Sequence, residues 1–162
     1  MAITFKYSAP YSLGAELHII NSNPFYNQIT KGKQQLEQAE LEQEVAEASE
    51  LGAERYVILL DADIVGIVEF LPLNPYDDCS WLGLFMMESS RQRSGLGGQA
   101  LEAFEQQLRQ RGIGMLRLAV VVDNEPAHAF WKKHHFQYVR STTTPAQLDV
   151  IIYEKQLQAQ VQ

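Results

Sequence analysis

Gln92-Arg93-Ser94-Gly95-Leu96-Gly97-Gly98 is the stretch on which the reading of this chain turns. It follows an apolar run, Trp81-Leu-Gly-Leu-Phe-Met-Met87, with the composition of a strand. It opens a helix predicted over 96–111. There Ala100, Leu101, Phe104 and Leu108 recur at helical spacing, while Glu102, Glu105, Gln106 and Arg109 fall on the other face. Three glycines within four residues let the backbone turn tightly and keep side chains out of a ligand's way. The first N–H groups of a helix have no intrahelical partner and carry the positive end of the helix dipole. A strand, a glycine turn and a helix start therefore make a socket for phosphate, and Arg91 and Arg93 flank it.

Working outward, Leu116–Val122 has few polar interruptions and reads as a central strand. Asn124 suits the N-cap of a helix running to about His134, with Pro126 in its first turn and Ala127, Phe130 and Trp131 as apolar positions. Phe136–Arg140 and Val150–Tyr153 read as strands, 142–145 as a loop, and the glutamine-rich tail from Gln156 as frayed. Upstream, Tyr56–Leu60 and Ile64–Phe70 form an antiparallel hairpin around Asp61-Ala-Asp63, and 72–80 is a loop. Residues 34–51 are rich in helix formers and stop at Gly52; 23–33 holds a first helix, and His18–Ile20 reads as a short strand. Hairpins first, then strand-helix-strand-helix-strand, imply an α/β (α+β) chain with a mixed sheet and helices on its faces.

At 162 residues the whole of 1–162 reads as a single domain. The one cysteine, Cys79, can form no internal disulfide, and the N-terminus lacks the pattern of a signal peptide. No apolar run is long enough to span a bilayer, so a cytoplasmic protein with no membrane partner is expected. The net charge of -7 argues against a nucleic-acid partner. Residues 1–90 carry a balance of -10 and residues 91–133 one of +3, so the only basic segment is the one holding the glycine turn. That split fits an anionic cofactor on one side and a cationic substrate on the other; solvated helix faces also account for much of the acidic excess.

Gly95, Gly97 and Ala100 also fit Gly-x-Gly-x-x-Ala, a dinucleotide fingerprint, but that pattern belongs on a first strand with an acidic residue about 20 positions on. A Walker-type loop is excluded because no Lys-Ser/Thr follows the glycines. Gln92-Arg-Ser-Gly95-Leu-Gly97 resembles instead the Gln/Arg-x-x-Gly-x-Gly/Ala loop of the GNAT superfamily of acyl-CoA-dependent N-acetyltransferases. Asn124-x-x-Ala127 followed by Phe130-Trp-Lys-Lys-His-His-Phe136 is similar to that family's second signature, and Asp149–Leu157 to its usual ending. The resemblance is specific over 82–136, fair over 56–71 and 148–157, and poor before residue 50.

The resemblance implies a mostly antiparallel central sheet with a splayed strand pair, acetyl-CoA or coenzyme A as cofactor, and an amine acceptor, either a small molecule or a peptide. The implied cofactor contacts are Phe85, Met86 and Met87 on the strand, Gln92, Arg93, Ser94, Gly95, Leu96, Gly97 and Gly98 in the turn, and Asn124, Ala127, Phe130, Trp131 and Lys133 on the later helix. Core packing is the competing account of Phe85 and Phe130. Acetylating an amine needs a base for the ammonium proton and a donor for the oxyanion. Glu69, which interrupts an apolar strand, is the first candidate base, though alternation with Ile67 could turn it outward. Asp78 and its neighbour Asp77 are alternatives. The family commonly protonates the leaving thiolate with a tyrosine, where this chain has Trp131, whose indole N–H is no acid at working pH. Tyr138 or His128 could substitute. Two further classes stay open: a binding module that keeps the cofactor site without turnover, and a nucleotide-dependent oxidoreductase. An exposed edge strand could support a homodimer.

Overall fold

A computed structural model describes residues 2–157. The chain runs β1 (Ile3–Tyr7), α1 (Leu13–Asn21), α2 (Pro24–Lys31), α3 (Gln38–Glu50), β2 (Glu54–Leu60), β3 (Asp63–Leu71), β4 (Trp81–Met87), α4 (Leu96–Gln110), β5 (Met115–Val121), α5 (Glu125–Lys133), β6 (Gln137–Thr143) and β7 (Asp149–Gln156), with single 3-10 turns before α1 and after β4. All seven strands form one sheet in the order β1-β2-β3-β4-β5-β7-β6. Every neighbouring pair is antiparallel except β4 and β5, which run parallel and register at one position only, Trp81↔Arg117. Beyond it the two strands diverge, which is the splayed pair that the resemblance implied.

Alternation along the strands sorts the core into two layers. Ile58, Val68, Phe70, Leu82, Leu116, Leu118 and Tyr153 face α4 and α5, whose Ala100, Leu101, Phe104, Leu108 and Trp131 complete that layer. Ile67 and Met86 face the other way, against Ile19 and Ile20 of α1 and Leu41 of α3. Phe104, the most central ring, meets Phe5 and Phe70 edge-on at centroid distances of 5.3 and 5.9 Å. Burying a side chain of that size contributes roughly 2–3 kcal/mol.

Four expectations from the sequence are corrected. His18–Ile20 is not a strand but the last part of α1, because Leu13, Leu17 and Ile20 repeat at helical spacing against the second layer. Ile3–Tyr7, outside every element expected from the sequence, is an edge strand paired Ile3↔Leu60 to Tyr7↔Tyr56, and Ile3 and Phe5 alternate into the first layer. Gln156 ends β7 and Leu157 is fully buried, so the chain is ordered two residues past the expected fraying point; the rest of that tail lies outside the described residues. The last long strand also holds the loop expected at 142–145 partly in register, since β6 reaches Thr143.

Candidate active site

The glycine turn follows the end of β4, at the far end of that strand from its one registered pair with β5. After β4 the backbone passes through Arg93 at φ 64° and Gly95 at φ 85°, both left-handed, and α4 begins at Leu96. Gly95 is glycine for that conformation. Gly98 is glycine for a different reason: a Cβ there would lie 2.8 Å from Cε1 of His134, so its bareness lets α4 close onto α5. Among the described residues no protein acceptor takes the N–H of Arg93, Ser94, Gly95, Gly97 or Gly98, and residues 92–95 are exposed. Five free amides at the start of a fifteen-residue helix are what a diphosphate requires. Arg93 is exposed beside them, and among the described residues Arg91 has only a distant partner, Asp63 at 3.8 Å.

The turn is pinned from outside. The Met87 carbonyl accepts from Asn23 Nδ2 at 3.1 Å and from Gln92 Nε2 at 3.0 Å, and Ser22 Oγ accepts the Ser89 N–H at 3.0 Å. Gln92 therefore spends its side chain fastening the turn to the α1–α2 junction. Ser94 likewise turns inward, donating to the Arg91 carbonyl at 2.6 Å. Sequence reasoning missed Ser22 and Asn23, which stand almost seventy positions upstream and carry no local mark of the role.

On the α4–α5 side of the divergence, Phe85 stacks on Phe130 at 6.3 Å and meets Trp131 edge-on at 5.8 Å. Gly97 faces the same cluster, its Cβ position 3.4 Å from Phe130 and 3.6 Å from Met87. Asn124 caps α5, its Oδ1 accepting the Ala127 N–H at 3.3 Å. Lys133 is exposed. Met86 points its side chain into the opposite layer, so only its backbone faces the gap. On its other edge β4 pairs with β3 from Trp81 to Met87, leaving the edge toward β5 unpaired past the convergence. His135, between the end of α5 and Phe136, adopts φ 73°.

The candidate acids and bases scatter. Glu69 lies on the α1–α3 side, where Arg55 Nη1 donates to its Oε2 at 2.8 Å; its side chain is 18% exposed. Asp78 is exposed in the 72–80 loop, at φ 56°. Asp77 is a loop brace, accepting from the Trp81 indole at 2.8 Å and the Cys79 N–H at 3.0 Å. Tyr138 is not brought to the gap: it stands 61% exposed on β6, with β7 and β5 between it and β4. His128 is not free to act as an acid either. Its Nδ1 accepts from the Tyr153 hydroxyl at 2.6 Å while its Nε2–H donates to the Val122 carbonyl at 3.0 Å, and the ring is buried. Burial pushes the Tyr153 hydroxyl above its ordinary pKa, with Glu125 adding to the shift. Cys79 donates to the Asp77 carbonyl, and desolvation pushes its thiol up, so it is no activated nucleophile.

The sheet decides between the two meanings of the glycine turn, because a dinucleotide fold needs parallel strands and this sheet is antiparallel nearly throughout. The family model "Acetyltransferase (GNAT) family" matches residues 16–136. The chain belongs to the GNAT acetyltransferase family. The match begins far upstream of the stretch that carries the two GNAT signatures, and it takes in α1 from Glu16 onward. Solved structures with this fold include an acetyltransferase from Thermus thermophilus, at TM-score 0.80 and 20% identity over 96% of this chain and 97% of that one. An acetyl transferase of Salmonella typhimurium that modifies the N-terminal serine of ribosomal protein L7/L12 aligns at TM-score 0.78 and 20% identity, covering 95% and 94%. An L7/L12 alpha-N-protein acetyltransferase solved with coenzyme A aligns at TM-score 0.78 and 19% identity, covering 98% and 96%. No curated protein matches the chain by sequence.

Proposed function

We propose that the protein is an N-acetyltransferase that moves an acetyl group from acetyl-CoA to an amine by direct attack in a ternary complex. The observation that carries this reading is the row of unclaimed amides at 93–95 and 97–98, set at the mouth of diverging strands. Those amides and Arg93 would hold the diphosphate, and the open edge of Phe85–Met87 would take the pantetheine arm as a further strand. Phe85, Phe130 and Trp131 would line the thioester end and exclude water from it. When bound, acetyl-CoA supplies an acetyl group already activated as a thioester.

The chain's own part is to hold the amine and take its proton. Glu69 is our candidate for both, because it is the carboxylate on the acceptor side of the sheet with an oxygen to spare. A β4 amide facing the gap would serve as the oxyanion donor. Trp131 offers no acid, and none is needed, since a thiolate is a far better leaving group than an alkoxide. The inert Cys79 argues against an acyl-enzyme, and hence for direct transfer.

Incubation with acetyl-CoA and a panel of amines, read by thiol release, tests the proposal. Glu69→Gln keeps an oxygen for Arg55 but no base, so kcat/KM is expected to fall about 100-fold or more. Binding of coenzyme A without thiol release for any amine would favour the binding module instead.

A further inference from the structure

Away from the cofactor side, three charged groups meet on the α1–α3 face. Glu16 of α1 is fully buried; its Oε2 accepts from Ser8 at 2.5 Å and Ser12 at 2.7 Å, and its Oε1 accepts from Arg55 Nε at 2.7 Å. Arg55, with a side chain 9% exposed, gives Nη1 to Glu69 Oε2 at 2.8 Å. Two groups are left over. Arg55 Nη2 is buried without an acceptor among the described residues. Glu69 Oε1 has no donor among the described residues and leans over Gly83 of β4, 3.1 Å from where a Cβ would stand. Arg55 and Glu69 also line, with Tyr7, Ser8 and Ser49, a cavity of about 240 Å³.

The leftovers are complementary. Glu16 is saturated, so its role is to hold Arg55; Glu69 is half-used and beside the open strand edge. Two carboxylates against one guanidinium leave a net negative charge, which favours a cation. A buried guanidinium N–H with no acceptor is costly, and a ligand oxygen would remove the cost. An α-amine next to a carbonyl presents an ammonium and an oxygen acceptor only three bonds apart. A polyamine or a lysine ε-amine has the ammonium alone. We propose that the acceptor is the α-amine of a peptide or amino acid, its ammonium on Glu69 Oε1 and its adjacent carbonyl oxygen on Arg55 Nη2. This rests on the N-acetyltransferase reading; in it Arg55 touches the acceptor directly and Glu16 is the residue that positions Arg55.

The test is titration of the protein, with and without coenzyme A, by trialanine amide, alanine, spermidine and an N-blocked peptide with a free lysine side chain. Trialanine amide or alanine is expected to bind at least tenfold more tightly than the other two. Preference for the tripeptide assigns a peptide N-terminus, preference for alanine a free amino acid, and parity the shared α-amine and carbonyl alone. Equal binding of all four, a preference for spermidine, or no binding of either α-amine overturns the proposal. Arg55→Lys, which keeps the charge but loses the fork, should erase the preference while leaving coenzyme A affinity within twofold. Thiol release is scored separately: release with spermidine but not with α-amines would leave the acetyltransferase reading intact and sink this one.

Discussion

On the α4–α5 side of the β4–β5 divergence the groups we propose for binding are backbone amides of near-consecutive residues, 93 to 98. On the α1–α3 side they are side chains from separate elements: Glu16 from α1, Arg55 from β2 and Glu69 from β3. The first site needs only a glycine turn and a helix start, both local. The second exists only once three elements have packed. Amides cannot titrate or be exchanged by substitution, which suits a cofactor of fixed chemistry; side chains can, which suits a variable acceptor. The two sites should therefore fail differently when each is damaged.

The largest effect is expected where the side-chain site is also part of the core. Glu16→Ala leaves the buried Arg55 guanidinium with one carboxylate instead of two, and losing a partner from a buried ion pair costs about 3–5 kcal/mol. Urea unfolding measures it. A loss below about 1 kcal/mol, the scale of a surface ion pair, would erase the contrast between the two sites. Gly97→Glu is the matching blow to the amide site. A carboxylate in the first helical turn favours the helix dipole, but its Cβ would meet Phe130 and Met87, so circular dichroism first checks that the fold holds. The carboxylate also fills the anion socket; losing one or two hydrogen bonds to a charged ligand, about 1.5–3 kcal/mol each, weakens coenzyme A binding about 100-fold. Unchanged affinity would show that the diphosphate lies elsewhere.

This contrast also decides what could be read from the sequence. The glycine turn, the Asn124 cap and the strand-helix units on either side were legible because each is specified within a few residues. Glu69 stood out as a charge in an apolar strand. Its partners did not: Glu16 lies in a segment whose Ile19-Ile20 pair suggested a strand, and Arg55 precedes a strand with no mark of burial. Tyr138 was misplaced for the same reason. Its position in the chain fits a substitute acid, yet the order β5-β7-β6 carries β6 to the sheet edge, and strand order is not written in any local pattern.

A smaller effect separates the glycines of the turn from one another. Gly98→Ala would bring its Cβ within 2.8 Å of the His134 ring, which is itself packed at a tilt against Phe130, 4.5 Å between centroids, and cannot swing freely. A loss of about 1 kcal/mol is expected from this overpacking. His134→Ala in the same chain should restore it, whereas Gly97→Ala, whose Cβ meets Phe130 at an ordinary 3.4 Å, should cost less.

The smallest effect concerns the protonation of that same ring. Burial lowers the pKa of His134 below its ordinary value, and the nearby Lys133 and Lys155 lower it further. A histidine whose folded pKa is depressed binds fewer protons folded than unfolded, between the two values. Stability therefore falls as pH drops from about 6.5 toward the lowered pKa, and the loss is complete below it. Above about 6.5 both states are neutral and the term vanishes. The urea midpoint of the wild type should thus decline on acidification through that window more than that of His134→Gln, which carries no titrating ring. Equal slopes would mean that α5 does not lean on a neutral His134, and Gly98 would then lose its reason for being bare.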